Sequence, residues 1–146
     1  MTDYQSPDDL KSVPAFAALA PVEAKAACLY PKNSRALSEA ASRGFQNALM
    51  LDMLGNVAEF GNSNVFMAKD GVVYTPVPNG TFLNGITRQR VIGLLRADGV
   101  TVVEKTLRYA DFLAADEIFS TGNFAKVAPV IRIDERELKP GPLFTK

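Results

Sequence analysis

The chain has 146 residues, enough for one domain with a hydrophobic core and too few for two comfortable ones. Its 16 Lys and Arg residues balance its 16 Asp and Glu residues, so the net charge does not indicate nucleic acid or an anionic membrane as a partner. There is no histidine and only one cysteine, Cys28. These two facts exclude a serine–histidine–acid triad, a histidine general base, an internal disulfide and a multi-cysteine metal site. Any catalysis falls to Lys, Asp, Glu, Tyr, Ser, Thr or a cofactor.

Residues 1–19 predict an irregular lead-in, because "YQSPDDLKSVP" carries two prolines and several turn formers. This stretch is acidic and polar, unlike a signal peptide, and no apolar run approaches the ~20 residues of a membrane helix. We therefore expect a cytoplasmic protein. The next stretch, "APVEAKAACLYPKN", places Lys25 among alanines. Composition leaves two interpretations open, a solvated helix lysine, which is the commoner case, or a buried reactive amine.

The first regular element is a helix over about residues 34–43, since Asn33 and Ser34 are good N-caps and Gly44 is a good C′ residue. The segment "NALMLD" predicts a short strand, "MLGN" a turn and "VAEF" a second extended piece. The clearest local prediction is a hairpin in "NVFMAKDGVVYTP", where Asp70-Gly71 is typical of a type I′ turn between β-prone runs.

The second half alternates strands with helices. "PVPNGTFLNG" predicts a loop, followed by a helix over about residues 87–98 with a predicted apolar face of Ile86, Val91, Leu94 and Leu95 and a stop at Gly99. "VTVVEKTL" predicts a strand, "YADFLAAD" a short helix, "EIFSTGN" a strand into a tight loop, and "KVAPVIRID" one further strand. This order predicts a mixed-sheet α/β or α+β domain.

Three segments then carry a resemblance in the same order along the chain. They are "AKAACLYPKN", "ALMLDMLGNVAEFGNSNVFMAKDGVVYTPVPNGTFLNGITRQRVI" and "ADEIFSTGNFAKVAPVIRID". Together they resemble the C-terminal half of a class IV (fold type IV) pyridoxal-phosphate aminotransferase, and branched-chain amino-acid aminotransferases are the nearest group. D-amino-acid aminotransferases and aminodeoxychorismate lyases share this skeleton. The resemblance implies a large domain with a curved mixed sheet (a pseudo-barrel) flanked by helices.

The resemblance also implies roles for three side chains. Lys25 would form the Schiff base with pyridoxal 5′-phosphate, and desolvation among small residues would favour its neutral, nucleophilic form. Glu59 matches the family's acid that faces the pyridine nitrogen, and Tyr30 matches the tyrosine that hydrogen-bonds the cofactor's phenolic oxygen. Without the resemblance, Glu59 is better interpreted as an exposed strand residue and Tyr30 as a half-buried core tyrosine.

Two segments are candidates for the cofactor phosphate. The first is the start of the helix at Gly85, Ile86 and Thr87, because a helix N-terminus collects anions through unpaired N–H groups. The second is the small-residue loop of Thr121, Gly122 and Asn123, where many relatives carry threonine in place of the asparagine. The resemblance further suggests that the backbone N–H groups of Asn123 and Phe124 receive the substrate carboxylate. From the residues alone, a helix cap and an ordinary turn are sufficient interpretations.

The resemblance implies that amino acids and 2-oxo acids are the substrates, with branched-chain amino acids and 2-oxoglutarate nearest, and that the complete enzyme is a homodimer. It assigns residues 20–146 to a C-terminal cofactor-binding domain. The family's smaller N-terminal domain, which contributes an arginine to the phosphate, and its C-terminal helix have no recognisable counterpart here, so we expect a truncated domain. Two hypotheses follow: a transaminase whose other half is supplied separately, or an inactive remnant that at most binds the cofactor weakly.

Overall fold

The structure, a computed structural model, describes residues 30–146. Three helices lie in this range: α1 (Tyr30–Ser42), α2 (Ile86–Ala97) and α3 (Tyr109–Leu113). The strands of the same range are β1 (Leu49–Leu51), β2 (Val57–Phe60), β3 (Asn64–Lys69), β4 (Val72–Pro76), β5 (Val102–Lys105), β6 (Glu117–Gly122), β7 (Lys126–Pro129), β8 (Arg132–Ile133) and β9 (Arg136–Glu137). None of the helices described is long and apolar enough to cross a membrane.

The main sheet has five strands in the order β5-β4-β3-β6-β7. The β4–β5 pair is parallel and is connected through α2, whereas the β3–β4, β3–β6 and β6–β7 pairs are antiparallel. Two smaller antiparallel pairs, β1–β2 and β8–β9, accompany it. The predicted mixed α+β fold class is therefore confirmed.

The β3–β4 hairpin forms as predicted around Asp70 and Gly71. Both residues have positive φ, 49° and 78°, which is the backbone conformation of a type I′ turn. The Asp70 backbone N–H donates to the carboxylate of Asp116, 2.8 Å away, at the start of β6. The turn is thus tied to the neighbouring strand of the same sheet.

Side chains from the central strand β3 enter two separate cores, one on each face of the sheet. Val65 and Met67 belong to the larger core, which includes buried residues of α1, β1, β2 and α3. Phe66 and Ala68 point the other way, toward Ile92 and Leu95 of α2. The Phe66 ring stacks on Phe119 of β6 with centroids 5.1 Å apart. Alternation along a strand that is buried on both faces explains why "VFMA", residues 65–68, is apolar without interruption.

The structure differs from the sequence predictions at two helices. In the described range α1 already includes Tyr30 and Pro31, four residues before the predicted start, because proline is compatible with the first turn of a helix. The predicted apolar face of α2 was wrong in part, since the side chains of Ile86 and Leu94 are 87% and 53% exposed. The buried residues of α2 are Arg88, Ile92 and Leu95.

The predicted single strand "KVAPVIRID" is in fact two. β7 pairs with β6 as far as Pro129, opposite Phe119, and β8 then pairs with β9 in a separate hairpin. The hydrogen bonding to β6 continues one residue past Pro129, where the Val130 N–H donates to the Ile118 carbonyl at 2.8 Å. The Asp134-Glu135 turn that joins β8 to β9 was not predicted.

Beyond β9, a buried carboxylate holds the last residues against the sheet. Glu117, on β6, accepts hydrogen bonds from the backbone N–H groups of Leu143 and Phe144 at 3.2 and 2.9 Å. A Cβ on Gly141 would lie 2.1 Å from Glu117 Cδ, so only glycine fits there without displacement. Phe144 in turn packs against Phe119, with ring centroids 6.3 Å apart.

Two glycines with open surroundings allow a test of the hairpin. A Cβ at Gly71 or at Gly93 would meet no atom within 4 Å, but only Gly71 has positive φ. We expect Gly71→Ala to destabilise the protein by about 1 kcal/mol through backbone strain. The helical control Gly93→Ala should stabilise it by roughly 0.5–1 kcal/mol. Chemical denaturation followed by circular dichroism measures both, and a neutral Gly71→Ala would contradict the turn assignment.

Candidate functional site

A cavity of about 470 Å³ opens at the end of the main sheet where β3 begins and β6 ends. Asn64 and Thr121 are paired across these two strands and both line the cavity. Its wall is completed by the start of α1, by Glu59 of β2 together with residues 61–64, by Thr81 together with residues 83–87, and by residues 121–123. Four segments that are distant in sequence therefore converge on one space.

The N-terminus of α2 faces this cavity without a cap. Gly85 is the N-cap residue, and no side chain hydrogen-bonds the first turn. The first N–H of the helix to find a helical acceptor is that of Gln89, which donates to the Gly85 carbonyl. The three preceding N–H groups, those of Ile86, Thr87 and Arg88, are left without helical acceptors. With the positive end of the helix dipole, they form a site suited to an anion.

A second donor on the cavity wall lacks a protein partner. Thr121 is 1% exposed, and its Oγ1 has no hydrogen-bond partner in the part of the chain that the structure describes. A buried hydroxyl without a partner costs roughly 1–3 kcal/mol relative to a satisfied one. This free energy is recovered if a polar ligand enters, so the hydroxyl indicates a binding position.

The loop before α2 is held against the sheet by Asn64. Its side-chain Nδ2 donates to the backbone carbonyl of Leu83 at 2.7 Å. A Cβ on Gly85 would lie 2.4 Å from Asn64 Oδ1, so the close approach of loop and strand depends on glycine at this position. The register of β3 thus determines where the N-terminus of α2 lies.

Arg88 holds the same loop from within the protein through its buried guanidinium. The sequence analysis did not predict this role. Its side chain is 1% exposed, although it is an arginine on a helix. The guanidinium donates to Asn84 Oδ1 at 2.7 Å, to the Pro76 carbonyl at 2.9 Å and to Glu104 Oε2 at 2.8 Å. It therefore connects the end of β4, the loop and β5 immediately beneath the first turn of α2. The signal available in the sequence was that Ile92 and Leu95 share a helical face with Arg88 at spacings of four and seven residues.

Glu59 and Lys32 are the two charged side chains that line the cavity among the described residues. Burial raises the pKa of the Glu59 carboxyl to about 7, while the Lys32 ammonium and the nearby Leu83 backbone N–H act in the opposite direction. Burial also lowers the pKa of Lys32, and the negative charge of Glu59 partly offsets that effect. A carboxyl that titrates near neutral pH in a cavity is typical of a functional group.

The structure brings most of the sequence-predicted site residues together. Tyr30, Glu59, Gly85, Ile86, Thr87, Thr121, Gly122 and Asn123 all line the cavity. Phe124 does not, and its side chain is fully exposed in the turn between β6 and β7. Lys25 lies outside the described residues. Lys32 was not among the predicted residues.

This arrangement can bind an anionic group at the α2 N-terminus and, in the same cavity, present a carboxyl that can exchange a proton. Within residues 30–146, no cluster of acidic, histidine or cysteine side chains could hold a metal ion. The geometry thus suits an anionic ligand that also carries a group able to exchange a proton with Glu59.

The chain is similar to known proteins in sequence and in fold. A family model described as amino-transferase class IV matches residues 8–133. A branched-chain-amino-acid aminotransferase of Pseudomonas aeruginosa is 42% identical over 118 residues, which are 81% of this chain and 38% of that protein. An aminotransferase of Brucella abortus, solved with bound PLP, is 62% identical with a TM-score of 0.86, covering 89% of this chain and 46% of that one.

A further solved structure adds a bound amino acid. The branched-chain aminotransferase of Thermoproteus uzoniensis, solved with norvaline, is 37% identical with a TM-score of 0.85, over 88% of this chain and 43% of that one. In all three comparisons the chain spans less than half the length of the relative.

The buried guanidinium gives the site its own test. We expect Arg88→Met to lower the free energy of unfolding by about 2–3 kcal/mol, because it removes three hydrogen bonds and leaves Glu104 with only the 3.6 Å contact to Arg96. The matched control is Arg90→Met, an exposed arginine on the same helix, which should change it by less than about 0.5 kcal/mol. Urea unfolding measures both variants. Equal effects of the two would contradict the role of Arg88.

Proposed function

We propose, since this chain belongs to the class IV aminotransferase family, that it forms the pyridoxal-phosphate-binding part of a branched-chain amino-acid aminotransferase. One observation carries the proposal: the uncapped N-terminus of α2, the unpartnered Thr121 hydroxyl and Glu59 share one cavity. That set offers donors for a phosphate and an acid for a basic ring nitrogen. The Brucella abortus relative, solved with bound PLP, supports the same ligand class.

The described residues fit this cofactor. The phosphate would be held by the N–H groups at the start of α2, by the Thr87 hydroxyl and by residues 121–123, where the unpartnered Thr121 Oγ1 gains an acceptor. Tyr30, 50% exposed at the cavity wall, would donate its hydroxyl proton to the phenolic oxygen. The cavity volume is within the range of small-ligand pockets.

Pyridoxal phosphate, when bound, supplies an aldehyde that captures the substrate amine and a ring that accepts electrons from the substrate α-carbon. The amine of Lys25 would hold the cofactor covalently and would serve as the general base and acid for the proton of the substrate α-carbon. Glu59 would hold a proton on the ring nitrogen. Its ionised form is the one that accepts that hydrogen bond, which makes its electrostatic surroundings part of the mechanism.

The substrate carboxylate would be received by the backbone N–H groups of Asn123 and Phe124, in the turn after β6. We propose leucine, isoleucine and valine as amino donors and 2-oxoglutarate as acceptor. The names of the relatives, branched-chain aminotransferases of Pseudomonas aeruginosa and Thermoproteus uzoniensis, support the donor class.

The chain spans 38% of the Pseudomonas aeruginosa relative and 46% of the Brucella abortus one, so the proposal concerns the part of such an enzyme to which these residues correspond. We propose residues 20–146 as the cofactor-binding domain and a homodimer as the assembly of the complete enzyme. The competing function is a chain that binds the cofactor weakly and transfers nothing.

Covalent labelling tests the cofactor proposal. After incubation with pyridoxal phosphate and reduction with borohydride, we expect the label on the peptide that contains Lys25, and Lys25→Ala should abolish it. Lys139→Ala, an exposed lysine away from the cavity, should leave labelling unchanged. Mass spectrometry of the digested protein locates the label. An even spread over surface lysines, the same in both variants, would refute a specific site.

Amino-group transfer separates the two functions. We expect the chain, co-expressed with the N-terminal domain of a branched-chain relative, to transfer the amino group of leucine to 2-oxoglutarate, measured as glutamate formed. Lys25→Ala should reduce the rate at least 100-fold, because Lys25 is the amine proposed to move the proton. A folded, cofactor-labelled chain that is inactive in every such pairing would support the competing function.

A further inference from the structure

Lys32 has no assigned role, yet it is the one cation on the described wall of the cavity. It belongs to α1. Its side chain is partly buried rather than free in solvent. A half-buried lysine needs a compensating interaction.

Glu59 is the acid that provides it. In the described part of the chain, Lys32 and Glu59 do not form an ion pair within 4.0 Å, but both line the same cavity. By Coulomb interaction, Lys32 lowers the pKa of Glu59 and Glu59 raises the pKa of Lys32. Charges that interact across a cavity with low-dielectric walls are screened less than charges on the surface.

Among residues 30–146, the other surroundings of Glu59 provide no alternative cation. On the neighbouring strand β1 it is opposite Met50. The loop before α2 contributes the Leu83 backbone N–H, and α1 contributes the neutral phenol of Tyr30 together with Lys32. Among the described groups, Lys32 is therefore the one full positive charge that can favour the Glu59 carboxylate.

We propose that Lys32 is a positioning residue whose ammonium group favours the ionised form of Glu59. The coupling is a property of the empty protein. Its consequence rests on the proposed function: an ionised Glu59 accepts a hydrogen bond from the protonated ring nitrogen of the cofactor, whereas a neutral carboxyl does not keep that nitrogen charged. Lys32 thus acts on the cofactor through Glu59.

The test follows the side-chain carboxyl of Glu59 by carbon-13 NMR through a pH titration of the cofactor-free chain. In Lys32→Met the charge is lost while the aliphatic stem is kept, so the midpoint should move up by about half to one pH unit. Lys32→Arg keeps the charge at every accessible pH and should retain the native midpoint. The control Lys139→Met should leave the midpoint unchanged, because Lys139 is exposed and does not line the cavity.

The coupling must also be reciprocal. In Glu59→Gln the titration midpoint of the labelled Lys32 side chain should fall by the same amount that Lys32→Met raises that of Glu59. A purely structural role for Lys32 would not produce matched shifts of opposite sign. An unchanged Glu59 midpoint in Lys32→Met, or equal shifts in Lys32→Met and Lys32→Arg, would overturn the inference.

The outcome is separable from the function proposed above. Matched shifts in a chain that takes no label at Lys25 would keep the inference and refute cofactor binding. Labelling at Lys25 with an unchanged Glu59 midpoint in Lys32→Met would support cofactor binding and refute the inference about Lys32. When both hold, Lys32→Met should also shift the pH dependence of the absorbance of the bound cofactor, and Lys32→Arg should restore it.

Discussion

The antiparallel pairing of β3 with β6 is the constraint from which the geometry of the site follows. Both strands are buried on both faces, so a one-residue slip would move the side chains of Phe66 and Phe119 from one core to the other. The register is thereby fixed by packing. It places Asn64 opposite Thr121 at the end of the sheet, and Asn64 then anchors the loop that leads into α2. The packing of the two cores and the geometry of the cavity therefore both depend on the register of β3 with β6.

The cavity that results is made mainly of backbone donors and neutral polar side chains. The charged side chains form two separate pairs. Arg88 is buried with Glu104 beneath the helix start, whereas Lys32 and Glu59 lie on the cavity wall. The buried pair orders backbone, because it joins three segments. The wall pair adjusts protonation. This division lets the loop geometry stay constant while the charge state of the site responds to ligand.

Local patterns in the sequence predicted local structure well. Asp70-Gly71 predicted the hairpin because two consecutive positive φ angles restrict the choice of residues. The apolar face of α2 was mispredicted because a pattern of apolar residues does not distinguish the exposed Ile86 and Leu94 from the buried Ile92. Such a pattern also assigns an arginine to the exposed face, whereas Arg88 is buried. The division between β7 and β8 depends on which strands pair after Pro129, and such pairing is non-local information.

The site was predictable to the extent that ordered motifs resemble a family. That resemblance named Tyr30, Glu59, Thr87 and Thr121, which the structure brings to one cavity. It did not single out Lys32, although this lysine lies within the quoted segment "AKAACLYPKN", because its interest comes only from sharing the cavity with Glu59 in the folded chain. Arg88 escaped notice for a related reason: its partners Asn84, Pro76 and Glu104 come together only in the folded chain. Lys25 remains a sequence prediction.

Helix α2 belongs to two neighbourhoods at once. Its first turn faces the cavity, while Ile92 and Leu95 pack in the core on one face of the sheet. Twelve residues make a rod of about 18 Å, and a helix of that length moves as a unit. A change of side-chain volume at Leu95 would therefore tilt the axis of α2. The first turn of the helix, which faces the cavity, would move without any substitution in that turn. Variation in this core is a route by which related chains could adjust how tightly they hold a phosphate.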